Sequence, residues 1–314
     1  MTETTAILPE RVLVVVGPTA VGKTDLAAEL ARRLDAEVVG ADSRQVYRHM
    51  DVGTAKPDRL LLGEIRHHMV DVVAPDEHFD VARWREGVTA ALAGIQRRGK
   101  RAILCGGTGL YLRSIFRGLF SGPGADIELR KTLVERERAE AGWLRARLLE
   151  RDPDSAARIH ANDQVRTIRA LEVLELTGRR LSEWHRSDRG TAAPFGTGVV
   201  QVSCDREALY RRIERRSQGM VAAGLVDELR GLYADGYAPG LKAFSAIGYR
   251  EAAQCIEGSL DSADLVGAVS RATKRYAKRQ STWLRHQLPA GPRTEVAPGG
   301  HEEALTWSGR YFDA

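Results

Sequence analysis

One segment restricts the fold more than any other. Gly17, Pro18, Thr19, Ala20, Val21, Gly22, Lys23 and Thr24 spell G-x-x-x-x-G-K-[ST]. The apolar, β-branched run Val12–Val16 precedes it directly. Asp25–Leu34 follows, with Leu26, Leu30 and Leu34 repeating every four residues. This order predicts a short buried strand, a glycine-containing turn and an amphipathic helix. In such a turn backbone N–H groups curl around an anion, and the helix N-terminus adds partial positive charge. Lys23 supplies a full charge, and the Thr24 hydroxyl is suited to holding Mg²⁺ between phosphate oxygens. The segment therefore reads as a binder of a di- or triphosphate. Three chemistries stay open to it: phosphoryl transfer, hydrolysis of a nucleotide, or departure of intact pyrophosphate while carbon is transferred.

Further runs extend the pattern. Glu37–Ala41, Met69–Val73 and Arg101–Cys105 read as strands, and Val81–Arg98 as a helix burying Trp84, Val88, Leu92 and Ile95. Strands alternating with helices of this length indicate parallel βαβ units. Around Ser121–Gly124 the pattern changes: from Asp126 to Trp184 the chain is dense in Arg, Glu, Leu and Ala, and reads as all helix. A Gly/Pro/Thr-containing stretch, Gly190–Gly198, ends it; Val199–Ser203 reads as a strand again, with helical patterns to His286. The tail after Leu288, rich in Gly and Pro, reads as peripheral. The expected fold is α/β: a P-loop NTPase-like, doubly wound, mainly parallel sheet with an inserted all-helical domain. The core would take 1–120 and 197–314, the insertion 121–196.

A chain of 314 residues has room for two such units. Its 47 Lys and Arg against 42 Asp and Glu leave a net charge of +5, compatible with a polyanionic partner without requiring one. Cys105, Cys204 and Cys255 are odd in number and widely spaced, which excludes a disulfide scaffold and fits a reducing compartment. The eight histidines show no metal spacing. Residues 1–11 lack a basic leader, and Val12–Val16 is too short to span a membrane, so a cytoplasmic protein is expected.

In an open α/β sheet ligands gather beyond the carboxyl ends of the strands. Asp42 ends the second strand there and Thr108 follows the fourth, within Gly106–Tyr111. A carboxylate facing a phosphate loop can accept a proton from a nucleophile or hold a magnesium-bound water; alternatively Asp42 caps a helix at Ser43–Tyr47. Thr108 is suited to donating a hydrogen bond to a bridging oxygen. The fourth strand ends in Gly-Gly-Thr without an aspartate, which counts against an NTP-hydrolysing motor.

Gly17–Thr24, Asp42–Tyr47, Met50–Pro57, Gly106–Tyr111, Asp126–Arg130, Asp163–Arg166, Arg169–Glu172, Ile247–Glu251 and Thr273–Arg285 together resemble the tRNA dimethylallyltransferases, in that family's order and over nearly the whole chain. The resemblance implies that the loop holds the pyrophosphate of dimethylallyl diphosphate and that the acceptor is N6 of adenosine 37 in the tRNA anticodon stem-loop. Asp42 would be the general base, with Thr108, Lys23 and Arg212 completing the catalytic set and Thr24 holding Mg²⁺. It further implies tRNA contacts by Asp42, Ser43, Arg44, Gln45, Thr108, Arg130, Arg166, Arg169, Gly248, Tyr249, Arg250, Lys278, Arg279, Gln280, Trp283 and Arg285. Arg44 and Val165 depart from the family's usual residues. A monomer without membrane contact is expected.

Arg271, Lys274, Arg275, Lys278 and Arg279 share a helical face with Tyr276 and Trp283 interleaved, and Arg206, Arg211, Arg212, Arg215 and Arg216 form a second basic cluster. Such stripes either face solvent or track a phosphate backbone. Arg166 and Arg169 would reach RNA or pair with Glu172 or Glu175. The competing functions are a small-molecule kinase using ATP and an RNA-binding protein whose loop only senses phosphate.

Overall fold

Val12 to Val16 are almost wholly buried, as a strand covered on both faces must be. The computed structural model describes residues 7–120, 122–187 and 192–314. The chain divides into two units, Met1–Phe116 with Pro194–Ala314, and Arg117–Ala193. Of the boundary residues read from sequence, Ser121, Gly190 and Thr191 lie outside the described residues.

The first unit opens with β1 (Arg11–Val16), α1 (Lys23–Leu34), β2 (Ala36–Ala41), α2 (Arg59–Glu64), β3 (His67–His68), α3 (Val81–Arg97), β4 (Arg101–Gly106) and α4 (Gly109–Arg117). The second unit holds α5 (Ile127–Ala139), α6 (Trp143–Arg151), α7 (Pro153–Arg158), α8 (Gln164–Thr177) and α9 (Leu181–Ser187). The chain then returns through β5 (Gly196–Val202), α10 (Arg206–Ala222), α11 (Leu225–Ala234), α12 (Tyr249–Ile256), α13 (Leu265–Gln287), β6 (Arg293–Val296) and α14 (His301–Asp313). Among the described residues the strands form one six-stranded sheet ordered β3-β2-β4-β1-β5-β6, with every pairing parallel. The order places the carboxyl ends of β2, β4 and β1 side by side, where ligands collect in sheets of this kind.

The helical periodicities hold. Leu26, Leu30 and Leu34 of α1 pack with Leu13, Val15 and Ile103 of the sheet. Trp84, Val88, Leu92 and Ile95 are the buried stripe of α3. Trp84 stacks on Tyr111 at 4.3 Å between ring centroids and donates its indole N–H to the Gly40 carbonyl at 2.9 Å.

Three expectations need correction. Met69–Val73 is not a strand: Met69 and Asp71 take positive φ values of 62° and 55°, which breaks the extended backbone. Only His67 and His68 pair with β2, and Val73 makes an isolated bridge to Tyr47. No helix follows Asp42; its carboxylate closes a turn instead. The tail after Leu288 is not peripheral, because β6 extends the sheet and α14 buries Ala304 against the core with Trp307, Tyr311 and Phe312. Helix α2 has no buried residue to produce an apolar period, and only its cap (Asp58 Oδ1 accepting Leu61 N–H at 2.8 Å) marks it in the sequence.

The second unit has its own core of Leu133, Leu144, Leu148, Ala170, Leu171, Val173 and Leu181. Two buried carboxylates organise it. Asp152 accepts from Ser155 N–H, Ser155 Oγ and Ser182 N–H. Glu172, 0% exposed, accepts from Arg130, Arg169 and Asp126 N–H. Burial pushes Glu172 up, but these donors outweigh it and hold the carboxyl below its ordinary value.

Candidate active site

The phosphate loop follows β1 and closes on Gly22, which caps α1 at φ 99° without any side-chain cap. The first N–H groups of the helix therefore remain available to an anion. Gly17 is required by close approach, since a Cβ there would lie 2.5 Å from the Val202 carbonyl. Lys23 Nζ donates to the Pro18 carbonyl at 2.7 Å, and Arg212 Nε to the Ala20 carbonyl at 2.8 Å. The loop opens on a cavity of about 670 Å³ lined by Gly22, Lys23, Thr24, Lys56, Arg212, Arg215 and Arg216. Burial lowers the Lys23 ammonium to about 8; Cys105 and Asp42 oppose that shift and Arg216 adds to it. An amine so uncomfortable as a cation is primed to gain a negative partner.

Asp42 leaves the end of β2 and its Oδ1 accepts from Arg44 N–H at 2.8 Å and Gln45 N–H at 3.4 Å. The described hydrogen bonds of this carboxylate all fall on Oδ1, and the side chain lines a cavity of about 290 Å³. Thr19, Arg44, Thr54, Met220, Ile247, Tyr276 and Arg279 are among its other walls. Burial and the Asp42 charge push the Tyr276 phenol up to about 12. Thr108 buttresses the Asp42 turn from behind: its Oγ1 accepts Ser43 N–H at 3.0 Å, and its own N–H donates to the Ala41 carbonyl at 3.2 Å.

Arg216 lines the Asp42 cavity and the phosphate-loop cavity alike. Burial lowers its pKa, opposed by the charge of Asp42. In the sequence it was one arginine in a run of five; packing of α10 selects it as the cation common to both cavities.

The segment Met50–Pro57 forms a wall of both cavities and is held from behind. Glu228 accepts Asp51 N–H at 3.0 Å, Val52 N–H at 2.9 Å and Gly53 N–H at 3.3 Å, and also the Tyr249 hydroxyl. Lys56, its side chain 3% exposed, pairs with Asp51 and Asp71 and donates to the Tyr47 carbonyl at 2.9 Å. Gln45 Nε2 donates to the Thr54 and Ala55 carbonyls. Glu228→Ala strands these donors, so chemical denaturation should report a loss of about 2–3 kcal/mol. An unchanged denaturation midpoint would show that the carboxylate does not hold the segment.

The expected tRNA-contacting residues separate into two groups. Lys278, Arg279 and Arg285 are exposed on α13, and Arg279 lies over the Tyr276 ring at 5.6 Å. Arg44 reaches the Lys242 carbonyl at 3.2 Å and Ser245 Oγ at 3.4 Å, and Arg250 pairs with Glu251. Other side chains are turned inward. Tyr249 is fully buried, Gly248 is buried at the start of α12, and Gln280 spends both ends of its amide on backbone groups. The Trp283 indole packs on Gly109, where a Cβ would meet it at 3.0 Å. Gly248, Tyr249 and Gln280 are thus buried and Trp283 is half-buried. In the second unit Arg130 and Arg169 neutralise buried Glu172, whereas Arg166, 74% exposed in its side chain, pairs among the described residues only with Asp163 at 3.3 Å.

A phosphate loop after β1, a carboxylate at the end of β2 with only β4 between them, and a shared arginine, all on a parallel sheet, define a P-loop α/β enzyme. The IPP transferase family model matches residues 45–287. The chain is 44% identical over 315 aligned residues to tRNA dimethylallyltransferase 2 of Syntrophus aciditrophicus, covering 98% of this chain and 99% of that one. It is 46% identical over 276 residues to tRNA dimethylallyltransferase of Geobacter metallireducens, covering 88% and 89%. Among solved structures, the full-length tRNA isopentenylpyrophosphate transferase of Bacillus halodurans superposes with a TM-score of 0.71 at 34% identity, covering 97% of each chain. A eukaryotic dimethylallyltransferase acting on tRNA gives a TM-score of 0.82 at 26% identity, covering 97% of this chain and 80% of that one. The chain belongs to the tRNA dimethylallyltransferase family of prenyltransferases. These relatives give no support to the kinase reading.

Proposed function

We propose that the protein transfers the dimethylallyl group of dimethylallyl diphosphate to N6 of adenosine 37 in tRNA, releasing pyrophosphate. The observation that carries this is the pair of cavities sharing Arg216, one holding the phosphate loop and the other Asp42. The allylic C–O bond breaks, its electron pair leaving with pyrophosphate, while the N6 lone pair forms the new C–N bond and the N6 proton passes to Asp42. An exocyclic amine is a weak nucleophile because its lone pair is delocalised into the ring, so both ends of the displacement need help. Lys23, Arg212, Arg216 and the N–H groups at the start of α1 take up the charge of the leaving group. Asp42 receives the proton as the bond forms. Thr108 keeps the Asp42 turn in place. The adenine is splayed out of its loop into the cavity, since N6 is otherwise stacked.

Thr24 lines the loop cavity together with Asp25 and Asp58, all hard oxygen donors. Among the described residues no three His, Cys, Asp or Glu side chains converge as a dedicated metal cage. That donor set suits Mg²⁺, which keeps its waters and leans on substrate phosphates. Bound there, Mg²⁺ supplies charge neutralisation for the diphosphate.

Arg44, Arg250, Lys278, Arg279 and Arg285 offer cations to the anticodon stem-loop, and Arg166 offers one from the helical unit. With about three phosphates neutralised, tripling the salt concentration lowers RNA affinity about tenfold. A flat salt response would show that these side chains touch no phosphate. No helix among the described residues is long and apolar enough to cross a membrane. The three free cysteines suit a reducing compartment, and we place the enzyme in the cytoplasm, acting as a monomer. The direct test incubates the protein with unmodified tRNA, dimethylallyl diphosphate and Mg²⁺, then analyses the digested nucleosides by mass spectrometry. One adenosine should gain a dimethylallyl group. Unmodified tRNA beside an ATP-dependent phosphorylated metabolite would instead establish the kinase.

A further inference from the structure

Gln280 lies 8% exposed on the inner side of α13. Its Oε1 accepts Thr19 N–H at 2.9 Å and its Nε2 donates to the Gly107 carbonyl at 2.8 Å. Thr19 belongs to the phosphate loop and Gly107 to the turn carrying Thr108, so one amide ties together loops leaving the neighbouring strands β1 and β4. The fit is close, because a Cβ on Gly107 would stand 2.5 Å from Nε2. The two residues before it on the helix, Lys278 and Arg279, are exposed cations with no ion pair among the described residues. Arg279 also lines the Asp42 cavity, as does Thr19.

Resting on the transferase reading above, we propose that Gln280 is a positioning residue through which RNA seated on the cationic side of α13 sets the diphosphate loop. RNA and pyrophosphate then bind with positive coupling. Thr19 N–H is committed to Gln280 and not to a phosphate. Where α13 lies therefore decides where Thr19 lies, and with it how the following N–H groups close around the anion. A polyanion drawing on Lys278 and Arg279 acts one and two residues from that amide. Linkage makes the effect reciprocal: pyrophosphate must tighten RNA by the same factor by which RNA tightens pyrophosphate.

The test measures inorganic pyrophosphate binding with Mg²⁺, by calorimetry, with and without a saturating anticodon stem-loop RNA carrying an unmodified adenosine. For the wild-type protein the stem-loop should tighten pyrophosphate by about fivefold or more. Gln280→Leu, which fills the space but makes neither hydrogen bond, should bring that factor to within about twofold of unity. Its affinity for stem-loop alone should stay within about threefold of wild type, a split that general loss of structure would not produce. Should that variant fail to fold, Gln280→Glu carries the test. It keeps an acceptor for Thr19 N–H, gives up the donor to Gly107, and should also show weakened coupling. Wild-type coupling in the variant that folds overturns the proposal. So does a wild-type protein that binds both ligands without coupling, and that result leaves the transferase reading standing. A wild-type protein that binds pyrophosphate but no stem-loop overturns both.

Discussion

Asp42→Asn lowers the rate of prenyl transfer by about 10²–10⁴-fold while tRNA affinity stays near that of the wild type. The substitution is chosen for its geometry. Oδ1 of Asp42 accepts the Arg44 and Gln45 N–H groups, and an asparagine carbonyl oxygen accepts them equally well. The turn therefore survives, along with the Thr108–Ser43 bond behind it. What disappears is the anion able to take a proton from N6. Single-turnover rates and a separate RNA-binding titration distinguish the outcomes. A variant that loses stability and RNA affinity but keeps its rate would make Asp42 a turn-forming residue only.

Lys23→Ala weakens pyrophosphate binding by about 10²–10³-fold at pH 7, the scale expected when one partner of a desolvated charge pair is removed. Its pH dependence carries a sign. Burial lowers the Lys23 ammonium to about 8 in the free protein, and a bound diphosphate raises it again. Below pH 8 the amine is already charged and binding needs no extra proton. Above pH 8 binding must take up a proton, so the advantage of wild type over Lys23→Ala shrinks by up to about tenfold per pH unit. Comparing the two proteins cancels the titration of pyrophosphate itself. A constant ratio between pH 7 and 9 would show that Lys23 takes up no proton on binding in that range, against a free-protein ammonium lowered to about 8.

Local signals were legible in the sequence and packing signals were not. The phosphate loop, β1, α1 and the α3 stripe are each written within a dozen or so consecutive residues, and the structure holds them as read. Asp42 was legible because it ends an apolar run opposite that loop. Met69–Val73 misled because burial of Met69 and Val73 imitates a strand, while two left-handed residues inside the run prevent one. The tail misled in the opposite sense, since its glycines and prolines hide the short strand β6 and a helix that buries only Ala304 and Ser308 fully. Gln280 stands among cations in the sequence, and only the packing of α13 turns it from the cationic face to the loops. Arg216 has four arginine neighbours within ten residues, and nothing but the register of α10 distinguishes it.

In the proposed reaction the phosphate loop grips a leaving pyrophosphate and not a phosphoryl group in transit. Phosphorus NMR of a reaction containing unmodified tRNA, dimethylallyl diphosphate and Mg²⁺ tests it most directly. Inorganic pyrophosphate should appear one-for-one with prenylated adenosine, with no signal from phosphorus bonded to an acceptor. Orthophosphate or a phosphorylated acceptor in place of pyrophosphate would contradict it.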